Sequence, residues 1–324
     1  MPRYDEFDPE SYERPRRRTR PRTKERPSYD DAVAASVVTV DRGRFTCLTD
    51  DQVVLTAMKS RPLGRKGVVV GDRVGLVGDT SGAEGSLARI VTIAERLTVL
   101  RRTADDDDPI ERVIVANADQ LVVVAALAEP EPRPHLIDRA LVAAYDAGMD
   151  PLILLTKADL ADPAEILATY RPLDVAVEVT RRDADLAPIR ARLAGRTSVL
   201  LGHSGVGKST LVNRLVPDAG RQTGGVNQVT GRGRHTSTSA LMLALPGGGH
   251  IIDTPGIRSF GLAHVEADHL IGAFPELHDL TLSCPRACSH AEGAPECGLD
   301  DAPPDLVPRV VSFRRLLASR DVTS

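Results

Sequence analysis

Short apolar runs punctuate this chain in two different rhythms. Residues 37–40, 44–48, 53–56, 73–77 and 87–93 are short, rich in β-branched side chains, and separated by Gly- or Asp-containing turns. Five such runs between residue 33 and about residue 104 predict a small closed β-barrel, OB-like or SH3-like. An acidic break at 105–108 reads as a linker. From Val113 the rhythm changes. Residues 121–126, 152–155 and 198–201 are wholly apolar strands, and helices are predicted at 137–147, 164–170, 186–193 and 211–215. Continuous apolar strands between helices imply a mostly parallel sheet covered on both faces. Residues 241–245 and 250–252 predict a hairpin, and 265–274 and 307–319 predict helices near the C-terminus. The expected fold class is therefore multidomain: an all-β barrel, a doubly wound α/β domain and a small helical tail.

Composition changes this picture little. Over 324 residues, 42% are apolar but only 3% aromatic, so the cores must be built from Val, Leu, Ile and Ala. The net charge of −4 excludes a uniform polybase, but it hides a segregation. Arg14, Arg16, Arg17, Arg18, Arg20, Arg22, Lys24 and Arg26 crowd an N-terminal arm that holds too little apolar surface to order itself. The arm reads either as a phosphate-neutralising segment for RNA or as a solvated tail. The barrel carries Arg42, Arg44, Arg61, Arg65, Lys66, Arg96, Arg101 and Arg102 but only Phe45 as an aromatic within a strand. It would bind RNA by phosphates and shape, or else only pack on its neighbour. No run reaches membrane-spanning length and no apolar leader is visible, so a cytoplasmic protein without membrane contact is expected. One isolated cysteine, Cys47, reads as a core thiol; the other three form a tight cluster.

The densest chemistry follows the strand at 198–201. Gly202-His203-Ser204-Gly205-Val206-Gly207-Lys208-Ser209-Thr210 sits between a strand and a helix, the context a phosphate-binding loop requires. Its glycines let backbone N–H groups converge on phosphate oxygens, and the following helix adds its positive end. Lys208 can reach the β- and γ-phosphates, and Ser209 can ligate Mg²⁺. The strand at 152–155 ends in Thr156-Lys157-Ala158-Asp159, which is similar to the guanine-specificity motif N-K-x-D of GTPases. The Asp159 carboxylate can accept from the guanine ring N–H and exocyclic amine, a pair that adenine does not offer, while the Lys157 stem can lie over the base. Thr156 stands where Asn is usual; its shorter hydroxyl, with fewer bonding sites, argues against contact with the far edge of the base. The base motif precedes the phosphate loop, the reverse of the ordinary GTPase order, so the domain reads as a circular permutation.

Residues 217–238 are Gly-rich and occupy the place of switch I, which supplies a Thr to Mg²⁺ and the γ-phosphate. Thr236 and Thr238 are both candidates. Asp253-Thr254-Pro255-Gly256 then reads as the D-x-x-G of switch II, with Asp253 holding Mg²⁺ through water and the Gly256 N–H sensing the γ-phosphate. Ile257 follows, where many GTPases place the water-orienting Gln. Either turnover is slow or another group substitutes; His235 is the internal candidate, with packing or partner contact as its alternative role. His203 reads as a variable side chain of the phosphate loop. Cys284, Cys288, His290 and Cys297 match a closed, structural Cys₃His zinc site. The terminal helix carries Arg309, Arg314 and Arg315, which suit an RNA-facing or solvated surface.

Taken in order, residues 116–120, 156–159, 202–210, 233–236, 253–257 and the Cys₃His segment resemble the RsgA/YjeQ circularly permuted GTPases, ribosome-associated factors of small-subunit maturation. The likeness covers about residues 33–320 and departs from the family at Thr156 and in the metal spacing, C-x₃-C-x-H-x₆-C. The resemblance implies an OB-fold barrel, a P-loop GTPase domain and a zinc domain. It also implies GTP/GDP, Mg²⁺ and one Zn²⁺ as cofactors, the small ribosomal subunit and its rRNA as partners, and subunit-stimulated hydrolysis linked to release. The division expected is a disordered arm (1–32), barrel (33–106), GTPase domain (107–262) and zinc domain (263–324), acting as a monomer. Because the zinc segment closely follows switch II, a γ-phosphate that orders the switches could reposition it. Two rivals remain: a GTP-sensing RNA-binding scaffold with little turnover, and a P-loop kinase, against which Asp159 argues.

Overall fold

A computed structural model describes residues 29–64, 67–103, 111–217, 240–254, 262 and 265–320. Residues 1–28 of the N-terminal arm, Arg65, Lys66 and the acidic break at 105–108 lie outside these residues.

The first five strands are β1 (Val33–Asp41), β2 (Arg44–Thr49), β3 (Val54–Lys59), β4 (Arg73–Gly78) and β5 (Ala88–Ile93). They pair β1–β2, β2–β3, β3–β5, β5–β4 and β4–β1, so the ribbon closes into an OB-like barrel. The β3–β5 pair is parallel and the others antiparallel. Alternate side chains, among them Val37, Cys47, Leu55, Leu76 and Ile90, fill the interior. Phe45 belongs to this core and so offers no stacking surface. Burial pushes the Cys47 thiol up to about 12, which keeps it an inert core group. Arg96 is engaged within the barrel: it forks onto the fully buried Asp72 at 2.7 and 2.9 Å and reaches the Gly67 carbonyl.

A hairpin of β6 (Val99–Thr103) and β7 (Glu111–Ala116) leads out of the barrel. Asn117 secures this joint, accepting from the Leu97 N–H and donating to the Gly71 carbonyl. Asp119 accepts from the Thr197 N–H at 2.7 Å.

The second sheet is built from β8 (Gln120–Ala126), β9 (Asp150–Thr156), β10 (Ala176–Val179), β11 (Thr197–Leu201), β12 (Leu241–Ala244) and β13 (His250–Asp253), in the order β10-β9-β8-β11-β13-β12. All pairs are parallel except β12–β13. Its helices are α1 (Pro134–Asp146), α2 (Ala164–Tyr170), α3 (Ala187–Leu193) and α4 (Lys208–Leu215). The strands alternate strictly between two cores. Leu121, Val123 and Ala125 face the layer containing α1 and α2, whereas Val122, Val124 and Ala126 face α3 and α4. This is the doubly covered parallel sheet that the apolar runs imply. The two sheets are continuous: β1 pairs with β12 at Thr39 and Leu241, and Thr39 Oγ1 donates to the Ala240 carbonyl at 3.1 Å.

The tail departs from its sequence reading. The helix expected at 265–274 is shorter, α5 (Ala267–Ile271), and an unexpected helix, α6 (Pro275–Thr281), follows it. The break falls at Phe274, whose position before Pro275 disfavours helical backbone. Phe274 instead drives into the core, edge-on to Tyr145 at 5.1 Å and to Phe313 at 5.6 Å.

The terminal helix α7 (Val307–Arg320) overturns a second expectation, since its arginines point inward. Arg309 pairs with Glu276, donates to the Pro172 carbonyl and lies over Phe274. Arg315 reaches Asp138 of α1 at 3.1 Å and lies over Tyr170. Arg314 binds the His290 carbonyl and Asp300. Arg309 and Arg315 clasp α7 to the sheet domain, and Arg314 ties it to the segment carrying the cysteine cluster. Asp138 is only 4% exposed, whereas the Arg315 side chain is 33% exposed, so removing the carboxylate leaves a guanidinium that water still reaches in part. Asp138→Ala is expected to cost about 1 kcal/mol in a chemical-denaturation titration, because burial of the carboxylate offsets part of the attraction to Arg315. An unchanged midpoint would deny the pair any part in docking the helix. Among the described residues, no helix is long and apolar enough to cross a membrane.

Candidate nucleotide site and metal centre

The phosphate loop leaves β11 and turns directly into α4. Gly205 and Gly207 take φ values of +84° and +92°, which side-chain-bearing residues rarely adopt. Ser209 and Thr210, in the first turn of α4, are exposed, and Val206 is buried beneath the loop. Lys208 Nζ lies 2.9 Å from Asp253 Oδ1 and donates to the Thr254 carbonyl at 3.1 Å. Thr254 Oγ1 in turn donates to the Leu200 carbonyl. β11 and β13 are adjacent parallel strands, which is why the loop lysine and the switch-type aspartate meet.

The turn after β9 lies on the other side of the same loop. Thr156, Lys157, Asp159 and Leu160 share one cavity of about 420 Å³ with Gly205, Gly207, Thr210 and Leu211. Asp159 is exposed into it, and Lys157 Nζ donates to the Glu129 carbonyl at its rim. Ala158 N–H donates to the Thr180 carbonyl. Thr156 is buried, and its hydroxyl donates to the Val206 carbonyl at 2.6 Å, tying the two loops together. A smaller, mostly apolar pocket of about 170 Å³ lies behind the loop, where Gly202, His203 and Ser204 meet the start of α1.

Part of this cavity is missing from the sequence reading. β10 is only four residues long and was not expected; it delivers Thr180, Arg181 and Arg182 to the cavity wall. Its alternation, Ala-Val-Glu-Val, is the one local signal for it. His235, Thr236, Thr238, Gly256 and Ile257 lie outside the described residues.

The second cluster is Cys284, Cys288, His290 and Cys297, whose ligand atoms all lie within 4.8 Å of one another. His290 Nδ1 stands 3.8 Å from Cys284 Sγ and 3.7 Å from Cys297 Sγ. These separations are those of donors around one tetrahedral ion, and three sulfurs with one imidazole are the donor set that zinc takes. Burial holds the His290 imidazole below its ordinary value, which favours the neutral ligand form. Gly298 donates its N–H to Cys284 Sγ at 3.1 Å. Only glycine fits there, since a Cβ would stand 2.1 Å from the Leu280 carbonyl oxygen. The altered spacing thus leaves all four donors convergent.

The site and sheet order define a class: a phosphate-loop nucleotide-binding α/β fold whose base-side turn precedes its phosphate loop, fused to an OB-like barrel. The RsgA GTPase family profile matches residues 93–263, and the chain belongs to that family. A small ribosomal subunit biogenesis GTPase RsgA from Ectopseudomonas mendocina is 44% identical over 218 residues, 64% of this chain and 63% of the relative. The protein of the same name from Pseudomonas syringae pv. tomato is 42% identical over 265 residues, 78% of this chain and 75% of the relative. The match therefore spans just under two thirds of the former relative's length. The crystal structure of YjeQ from Thermotoga maritima shares the fold at a TM-score of 0.63, covering 89% of this chain and 98% of that one at 23% identity.

Proposed function

We propose that this protein is a GTPase that binds GTP in the cavity between residues 156–159 and the phosphate loop, hydrolyses it to GDP and phosphate, and acts on the small ribosomal subunit during late maturation. One observation carries the reading: a base-recognition carboxylate and a phosphate loop open into a single cavity large enough for one nucleotide. Asp159 selects guanine, Lys208 holds the β- and γ-phosphates, and Gly202 to Thr210 cradle them with backbone N–H groups. Lys208 must then exchange Asp253 for phosphate oxygens, which frees the Asp253 carboxylate to face the metal side. Ser209 and Thr236 would hold Mg²⁺, which when bound neutralises charge developing on the phosphates. His235 orients the attacking water in place of the side chain that Ile257 lacks.

Cys284, Cys288, His290 and Cys297 would hold one structural Zn²⁺. The relatives, small ribosomal subunit biogenesis GTPases, and the family support the small subunit as the partner. Subunit-stimulated hydrolysis coupled to release, contact with rRNA, a monomeric state, a cytoplasmic location and the four-part domain division belong to the same proposal.

The test is phosphate release from GTP and from ATP, with and without purified small subunits. Stimulation confined to GTP is expected, and a rate indifferent to the subunit would remove the coupled reading. Ile257 favours one alternative, a GTP-sensing RNA-binding scaffold with little turnover. His235→Ala is expected to lower stimulated turnover by about 100-fold at unchanged nucleotide affinity. An unchanged rate would assign that histidine no part in the chemistry.

A further inference from the structure

The guanine ring presents two neighbouring acceptors on its Hoogsteen edge, N7 and O6. A side chain can read that edge only by donating. At the turn after β9 the side chain placed to do so is Thr156, and a threonine hydroxyl has one proton. That proton is engaged: Oγ1 lies 2.6 Å from the Val206 carbonyl, with the Ala125 carbonyl also within reach at 3.3 Å. The side chain is 7% exposed, so water cannot relieve the competition. What Oγ1 can still present to a base is lone pairs, which repel N7. Turning the proton toward the base would orphan the buried Val206 carbonyl, a loss comparable to the bond gained. Lys157 directs its ammonium to the Glu129 carbonyl at the cavity rim.

We propose that Thr156 is a positioning residue that fastens the base-recognition turn to the phosphate loop, and that residues 156–159 read guanine without a side-chain contact to N7. This inference rests on the guanine reading of the cavity and specifies how selectivity is divided within it. Discrimination against adenine falls on the Asp159 edge of the base. The N7 position is open to substitution. An asparagine at 156 has two N–H groups, so it could keep Val206 satisfied and still donate to N7.

The experiment titrates the full-length protein with GDP, 7-deaza-GDP, in which N7 is a carbon, and IDP, which lacks the exocyclic amine. The wild type is expected to bind 7-deaza-GDP within about twofold of GDP. Thr156→Asn is expected to acquire a preference for GDP of about threefold or more, the worth of one net hydrogen bond. A wild-type preference of that size overturns the proposal, and so does equal discrimination by the two proteins. Merely loosening the turn would weaken both ligands together and leave their ratio unmoved. IDP separates this from the parent reading: IDP bound as tightly as GDP would sink guanine recognition by Asp159, whatever 7-deaza-GDP does.

Discussion

Asp159→Asn is expected to weaken guanine-nucleotide binding by at least about 100-fold and to make a xanthine nucleotide the preferred ligand. The carboxylate offers acceptors to both the guanine ring N–H and the exocyclic amine. Hydrogen bonds to a charged group contribute about 1.5–3 kcal/mol each, so two of them amount to a factor of roughly 10² or more. Asparagine keeps one acceptor but turns an N–H donor toward the guanine amine, donor against donor. Xanthine carries a carbonyl at that position, which the new donor fits. Asp159 is exposed into the cavity, so the substitution should leave the fold intact. Titration with GDP and XDP, with thermal unfolding as the control for folding, reads the effect. Unchanged GDP affinity would remove Asp159 from the base site and detach the phosphate loop from any guanine reading.

The residues of this cavity differ in how legible they are from sequence, and the reason is spacing. Gly202 to Thr210 form a contiguous pattern whose chemistry is local, so strand, loop and helix can be placed without knowing the rest of the fold. The same holds for residues 284–297, where convergence of four donors needs only a short loop. The wall supplied by Thr180, Arg181 and Arg182 depends on a four-residue strand pairing with β9, and so short an alternation has little weight of its own. Thr156 was readable as a departure from Asn, but its partner Val206 lies fifty residues away and is chosen by the sheet, not by the motif.

The tail shows the same limit more sharply. Arg309, Arg314 and Arg315 look like solvated charge because their partners Asp138, Pro172, Glu276 and Asp300 are scattered along the chain. Once folded, they make α7 a strut with the metal cluster on one side and α1 on the other. Arg314 holds the His290 carbonyl at 3.2 Å and Asp300 at 2.6 Å, while the adjacent Arg315 holds Asp138. Leu262 and Val265 re-enter the core shared with α1. A nucleotide-driven motion that reached the metal cluster would therefore have to carry or break this clasp, which bears directly on the proposal that the switches reposition the tail.

Removing the metal is expected to unfold the cluster selectively. Purified protein should hold one zinc per chain, and Cys297→Ser should lose it together with amide-exchange protection across about residues 284–301. The reason is the scarcity of core in this segment. Between α6 and α7, the buried side chains are Cys297, Leu299 and His290, two of which would be ligands. Little hydrophobic burial would oppose the chain entropy if the donors were released. Structural zinc contributes about 10–16 kcal/mol of apparent binding energy at neutral pH in small folded motifs, far more than these contacts can supply. The damage should stop at α7, because its apolar face, Val310, Phe313, Leu316 and Leu317, belongs to the core shared with α1. Cys47→Ser, deep in the barrel, is the matched control and should leave zinc content unchanged. Full protection of residues 284–301 in zinc-free protein would show that the knuckle stands without metal and would leave its four donors without a structural role.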